Sequence, residues 1–403
     1  MHNLFNRVAD LVNKRRPEII EQLKRCIEFN TVNPPGNEGP LARYVGTKMQ
    51  SIGAEVSYQE VFPGRPNVLC SFKFSEHERC LLWNTHMDTV PIGTVPWAFE
   101  PWSGHEQDGK VYGRGACDAK GSLASMMGAL QVLSELGVAL EGELLFAPVI
   151  WEEGGGKGTQ HFVNTGMAGR KPVAAVVGEP TECLISTAHR GSNRRKVVVH
   201  GVAAHSSDPD KGVNSIYRAA RLLLEIERLH EQLRSKQHEL LGSPVVSANV
   251  VSGGQKHNTI PDRTEIVIDR RRIPGEPKQQ LDNEIRTIVE RLRRDDPGYE
   301  YEIIDLDMDK EPAETERTAE IVKKAAQVVR TMTGKDAVLT AQKGGTDMTF
   351  LVNDAHVPTI IYGPGGLGMP HAVDEYVPVE HILTATVFYS LLAVSVLGGE
   401  NAC

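Results

Sequence analysis

Leu81-Leu82-Trp83-Asn84-Thr85-His86-Met87-Asp88-Thr89-Val90-Pro91 is an apolar run that ends in a histidine and, two residues later, an aspartate. An apolar run of strand length halted by polar, turn-forming residues reads as a buried strand, and open α/β sheets place their chemistry at the carboxyl ends of such strands. His86 is therefore a candidate metal ligand. Residues two apart in an extended segment point to the same side, so Asp88 can reach the ring nitrogen of His86 that faces away from a metal. A lone His-x-Asp equally describes a histidine beside a turn. The metal reading rests on the other segments that end in acids or a histidine.

Outward from this stretch the texture is that of an α/β sheet. Residues 2–28 have helical apolar spacing with a break near Pro17, and Asn33-Pro34-Pro35-Gly36 ends the pattern. A helix over 41–52 is followed by apolar runs at 67–72 and 80–85, a small-residue helix over 122–135, and strands over 143–150 and 174–177. After His189 the pattern changes. Residues 196–200, 245–251 and 265–271 alternate like half-solvated strands, with helices over 213–233 and 279–294 and a last strand near 299–304. This β-α-β-β-α-β string predicts a four-stranded antiparallel sheet covered by two helices. It reads as an insertion over 190–308 in a larger α/β domain formed by 1–189 and 309–403, where a strand over 358–362 and a closing helix over 379–397 return.

Length agrees with two domains, since 403 residues exceed what one hydrophobic core usually organises. A net charge of −8 opposes non-specific binding to nucleic acid or anionic membranes, and the basic clusters at Arg15-Arg16, Arg194-Arg195 and Arg270-Arg271-Arg272 read mostly as solvated faces. The first twenty residues lack the apolar core of a signal peptide and no run reads as a membrane span, which predicts a cytoplasmic protein. The six cysteines (Cys26, Cys70, Cys80, Cys117, Cys183, Cys403) form no CxxC pair, so a metal site must use histidine and carboxylate.

Five segments end in such donors: His86, Asp118, Glu152-Glu153, Glu179 and His371. Two imidazoles with several carboxylates suit zinc, cobalt or manganese. The mixture also suits two divalent ions, with one carboxylate shared and each ion taking its own imidazole and carboxylate. One glutamate is then uncommitted. Adjacent glutamates leaving a strand point in different directions, so one of Glu152 and Glu153 can bind metal while the other holds a water as general base. A phosphate-binding reading of Gly154-Gly155-Gly156-Lys157-Gly158-Thr159 fails because glycine, not Ser or Thr, follows the lysine.

In chain order, His86-x-Asp88-Thr89-Val90-Pro91, Tyr112-Gly113-Arg114-Gly115 through Asp118-x-Lys120-Gly121, Glu152-Glu153-Gly154, Glu179-Pro180-Thr181, Gly201-x-x-x-His205-Ser206-Ser207, Gly253-Gly254, Gly344-Gly345-Thr346-Asp347 and His371-x-x-x-Glu375 resemble the acetylornithine deacetylase/succinyl-diaminopimelate desuccinylase family, relatives of aminoacylases and carboxypeptidase G. The resemblance implies a zinc-peptidase-like mixed sheet with helices on both faces and an inserted lid and dimerisation domain. It implies that His86 and Glu179 bind one metal, Glu153 and His371 the other, that Asp118 bridges them, and that Glu152 is the base. It implies that Asp88 supports His86, and that His205 crosses a homodimer interface to the reacting carbonyl oxygen. Arg271, in Asp269-x-Arg271-x-x-Pro274-Gly275, and Asn258 are the substrate-contacting candidates. Trp151 departs from the pattern, since relatives more often carry a small or acidic residue there.

The expected activity is hydrolysis of an amide in a small N-acyl amino acid by a metal-activated water, with two divalent ions, zinc foremost and cobalt or manganese as alternatives. Dipeptidase or carboxypeptidase activity is the next reading, then an aminohydrolase. A non-catalytic amino-acid-binding or assembly protein is the reading from a different class. The expected partners are the small substrate and a second copy of the chain, with neither nucleic acid nor membrane.

Overall fold

A computed structural model describes residues 2–399; Cys403, the last of the six cysteines, lies outside them. The chain divides into two compact units. One comprises the residues up to Ala188, Glu314–Ala341 and the residues from Thr346 on; the other comprises His189–Ala313 and Gln342–Gly345. The second unit therefore runs past residue 308 and takes in a short later segment.

The first unit is built on a mixed sheet. Its strands run in the order Glu55–Phe62, Arg65–Lys73, Glu143–Val149, Cys80–His86, Ala174–Val177, Thr359–Ile361, Ile185–His189 and Ala313–Glu314, with Leu339–Gln342 paired to Ile185–His189. Cys80–His86 lies between Glu143–Val149 and Ala174–Val177 and is parallel to both. All seven of its residues are buried. That is why its sequence is continuously apolar where a half-solvated strand would alternate. Successive side chains leave on opposite faces. Trp83 packs on Tyr389 of the helix Val379–Leu397, whereas Asn84 donates to Thr159 Oγ1 of the helix Lys157–Asn164 at 3.1 Å. Helices thus cover both faces. The helix Val379–Leu397 is long and apolar enough to cross a membrane by length and composition, which the sequence reading did not register; most of it is buried within the first unit.

The second unit carries a four-stranded antiparallel sheet in the order Val245–Gly253, Arg263–Arg272, Gly191–His200, Tyr301–Asp305. Helices Ser215–Leu233 and Gln280–Leu292 supply Leu222, Ile226, Leu281 and Ile285 to a core completed by Val197, Val199, Ile266 and Ile268 from the strands. Asn214 caps the first helix, its Oδ1 accepting from the amides of Ile216 and Tyr217. The basic clusters here are not solvated faces. Strand alternation turns Arg195, Arg270 and Arg272 inward, where they are at most 3% exposed. Arg195 pairs with Asp282 and Asp309, Arg270 with Glu276 and Glu284, and Arg272 with Glu311. Charges so placed must be paired, because desolvation costs several kcal/mol per unpaired ion.

Candidate metal centre

Four of the five donor segments follow parallel strands of the first unit. His86 ends Cys80–His86, the Glu152-Glu153 pair follows Glu143–Val149, Glu179 follows Ala174–Val177, and His371 lies on the connection after Thr359–Ile361. The first three of these strands are neighbours, so their carboxyl ends bring His86, the glutamate pair and Glu179 together. Asp118 enters from the turn before the helix Lys120–Leu136. That turn needs its glycines: Gly113 and Gly115 have φ of +153° and +85°, and a Cβ on Gly115 would lie 2.6 Å from Thr89 Cγ2.

The side chains meet at short range. His86 Nε2 lies 3.0 Å from Asp118 Oδ1 and 3.7 Å from Glu179 Oε1. His371 Nε2 lies 3.1 Å from Glu153 Oε1 and 3.5 Å from Asp118 Oδ2. Each Asp118 oxygen therefore faces a different imidazole. Among the described residues, two donor sets have ligand atoms all within 4.8 Å of one another: His86, Glu152 and Glu179, and His86, Asp118 and Glu153. Donors ~2.0–2.2 Å from one ion in a tetrahedral arrangement lie about 3.3–3.6 Å apart. The donor types and spacings fit divalent cations.

The electrostatics agree. Burial pushes the Glu153 carboxyl up to about 7, with Asp118 adding to the shift, and burial likewise raises Glu179 well above the usual carboxylate range. Burial alone would raise Asp118 too, but its contacts with His371 and His86 hold it below that range. His371 is raised to about 10 by Asp118 and Glu153. Burial works against protonation of His86, yet Glu179 and Asp118 raise it above its ordinary value. Acids this close repel one another unless positive charge lies between them.

Asp88 reaches the His86 ring nitrogen that faces away from Asp118 and Glu179, as the two-residue spacing predicts, and it does more. His86 Nδ1 lies 2.9 Å from the Asp88 backbone carbonyl and 3.5 Å from its carboxylate. The carboxylate also accepts from Asn33 Nδ2 at 2.9 Å and from the amides of Glu152 and Glu153 at 2.9 and 3.2 Å. It ties the histidine strand to the glutamate turn. Trp151 closes that turn from outside: its Nε1 donates to Gly154 O at 2.9 Å, and its ring packs on Phe62 and under the Arg65 guanidinium.

The other three candidates lie in the second unit. His205 is exposed on the two-residue strand Ala204–His205, which pairs with Thr259–Ile260 next to Asn258. Its Nδ1 lies 2.7 Å from Ser207 Oγ and 3.2 Å from the Ser207 amide nitrogen. Asn258 accepts from the Ser206 amide through its backbone carbonyl, and its Oδ1 is buried without a hydrogen-bond partner. Arg271 is held by Asp269 through bonds of 2.7 and 3.1 Å.

Residues 82–395 match the profile of Peptidase family M20/M25/M40. The chain belongs to that family. As an M20 member it is a hydrolase acting on amide bonds. It is 32% identical over 325 residues to the acetylornithine deacetylase of Myxococcus xanthus, covering 78% of this chain and 80% of that one. Solved structures share the fold. An M20 family metallo-carboxypeptidase from Sulfolobus solfataricus superposes with a TM-score of 0.78 at 16% identity, covering 94% of this chain and 99% of that chain. A dinuclear metal binding peptidase of the M20 family from Bacillus subtilis superposes with a TM-score of 0.73 at 18% identity, covering 96% and 99%.

The M20 chain also carries charged residues around the centre whose roles sequence reasoning did not assign. Glu375 and Arg114 form a buried pair with a 2.6 Å bond. Buried Lys120 donates to the Phe29 carbonyl at 2.7 Å, and burial lowers its ammonium to about 8. All three stand in the quoted motifs; only their three-dimensional contacts reveal what they hold.

Proposed function

We propose that the chain removes the acyl group from the nitrogen of a small N-acyl amino acid, using two divalent metal ions, zinc foremost, with cobalt or manganese as substitutes. The observation that carries this reading is the meeting of both imidazoles on the two oxygens of Asp118, with Glu153 and Glu179 alongside. His86 and Glu179 would hold one ion, Glu153 and His371 the other, and Asp118 both. Bound there, such ions polarise a carbonyl and lower the pKa of water from ~15.7 towards ~7. Glu152 takes the proton of the attacking water and returns it to the departing nitrogen. Asp88 keeps Glu152 aimed by gripping its amide. The deacetylase name of the Myxococcus xanthus relative supports an acyl group over a second amino acid as the part removed.

The same proposal gives the second unit two tasks. His205, from the partner copy of a homodimer, donates its Nε2 proton to the reacting carbonyl oxygen, while Arg271 and Asn258 contact the substrate's carboxylate end. Support for the dimer lies in the apolar groups that unit exposes. Val245–Gly253 is an edge strand with Val250 and Val251 exposed, and the helix Ser215–Leu233 exposes Tyr217 and Leu224. An open edge strand and an apolar helix face suit isologous pairing across a two-fold axis. Thiols at Cys26, Cys70, Cys80 and Cys117, all free and buried, support a cytoplasmic setting.

The deciding experiment is metal analysis combined with hydrolysis of a panel of N-acyl amino acids, dipeptides and carboxypeptidase substrates. Two ions per chain with N-acyl amino acids turned over fastest supports the proposal. Faster cleavage of dipeptides would move the chain to the dipeptidase reading. Two bound ions with no hydrolysis of any member would overturn it.

A further inference from the structure

We infer that Glu375 is the positioning residue of the metal centre, fixing Asp118 directly and His371 through Arg114. The inference rests on the two-metal reading above and adds to it a residue that touches neither ion nor substrate.

Glu375 is 1% exposed, and its carboxylate is filled by donors from a single turn. Oε2 accepts from Arg114 Nη1 at 2.6 Å and from the Gly115 amide at 3.0 Å. Oε1 accepts from the amides of Cys117 and Asp118 at 2.9 and 3.0 Å. Three backbone N–H groups converging on one carboxylate form an anion-binding concavity made by the chain itself. The last of them belongs to Asp118, whose carboxylate faces both imidazoles. Rotation of that peptide would move both Asp118 oxygens.

Arg114 carries the hold to the other ligand. While Nη1 binds Glu375, Nη2 donates to the His371 carbonyl at 3.4 Å. His371 has φ of +64°, a conformation that a non-glycine residue keeps only when its surroundings impose it. The Arg114 guanidinium also lies 4.9 Å from the centre of the Trp97 ring, and the neighbouring Ala98 amide donates to Asp374 Oδ1 at 2.7 Å. The segment from His371 to Glu375 is thus fastened at its carbonyl, at Asp374 and at Glu375.

Charge strengthens the argument. Another carboxylate buried beside Asp118 is electrostatically adverse, and packing alone would favour a neutral side chain. Four donors shared between two oxygens, one of them a guanidinium, favour an anionic acceptor, and Arg114 supplies the matching charge. The arrangement is explained by the position it imposes on Asp118 and His371.

The test is titration of metal-free protein with Co2+, followed by visible absorption and by counting bound metal, for wild type, E375Q, R114K and R218M. In E375Q one amide oxygen replaces two carboxylate oxygens and the –NH2 group opposes two of the donors. Affinity for both equivalents of Co2+ should fall ~10–100-fold, the usual cost of losing a residue that orients metal ligands. R114K keeps a cation for Glu375 but loses the fork that reaches His371, so one equivalent should weaken and the other hold. R218M breaks the Arg218–Asp296 pair of the second unit and controls for a general loss of stability; it should bind Co2+ as wild type does. Wild-type affinity in E375Q, or equal losses in E375Q and R218M, would overturn the inference while leaving the two-metal reading intact. If E375Q does not fold, R114K decides, and unchanged affinity for both equivalents there overturns it. A wild-type protein that binds fewer than two ions would sink the two-metal reading, and this inference with it.

Discussion

Asp88→Asn keeps the shape of a buried side chain while replacing one of its two accepting oxygens by a donor. Asp88 is fully buried, and its carboxylate accepts from Asn33 Nδ2, Glu152 N and Glu153 N. Burial would raise its pKa, but His86, Asn33 and the Glu152 amide hold it below the usual carboxylate range, so the residue is charged. An asparagine oxygen in the place of Oδ2 still accepts from Asn33 and from the Glu153 amide, and leaves the Glu152 amide without an acceptor. A buried donor left so costs about 1–3 kcal/mol, which is the loss predicted here. Part of that loss is global stability, read by urea denaturation of the metal-free protein. The rest is loss of alignment of the glutamate turn, which should appear as ~10–100-fold weaker metal binding in a titration. Stability and metal affinity both at wild-type values would refute the claim that Asp88 anchors Glu152 and Glu153.

Asp118→Ala should lose both ions, because its two oxygens face the two imidazoles; a fully metallated, active variant in metal analysis would remove the bridge. Arg271→Ala should raise KM strongly for substrates with a free carboxylate and little for their amides, and equal effects on both would discard that contact. His205→Ala should keep its metals and lose ~10²–10³ in kcat, and mixing it with Glu152→Gln should restore part of the activity; no rescue in verified mixed dimers would end the cross-subunit role. Fully buried His189 has its pKa lowered by burial to about 4 from an ordinary 6.5. Its neutral form therefore contributes about 3 kcal/mol that is fully present above pH 6.5 and lost as pH falls towards 4. Urea midpoints at pH 7 and pH 4.5 should differ more in wild type than in His189→Asn.

Four of the candidate donors were legible because each stands where an apolar run stops. His86, Glu152, Glu153 and Glu179 leave adjacent parallel strands, and a buried parallel strand announces itself by unbroken hydrophobicity. The strand Glu55–Phe62 was missed for the converse reason: it is a largely exposed edge, and its polar side chains give no apolar run. The inward arginines read as solvated in the sequence because most of their carboxylate partners are distant: Asp282 and Asp309 for Arg195, Glu284 beside the nearby Glu276 for Arg270, and Glu311 for Arg272. Period-two spacing put Asp88 beside His86, but the amides it grips lie more than sixty residues away. The work of Glu375 was hidden likewise, since its donors at Arg114 to Asp118 meet it only in the folded chain.

The central claim is that Glu152 moves the proton while the five other donors hold metal. Metal content and turnover measured on one preparation of Glu152→Gln test it most directly. The variant should hold as many ions as the wild-type protein, two per chain, with kcat lower by ~10²–10⁴. Loss of an ion would make Glu152 a ligand, and wild-type turnover with both ions in place would leave the reaction without its base.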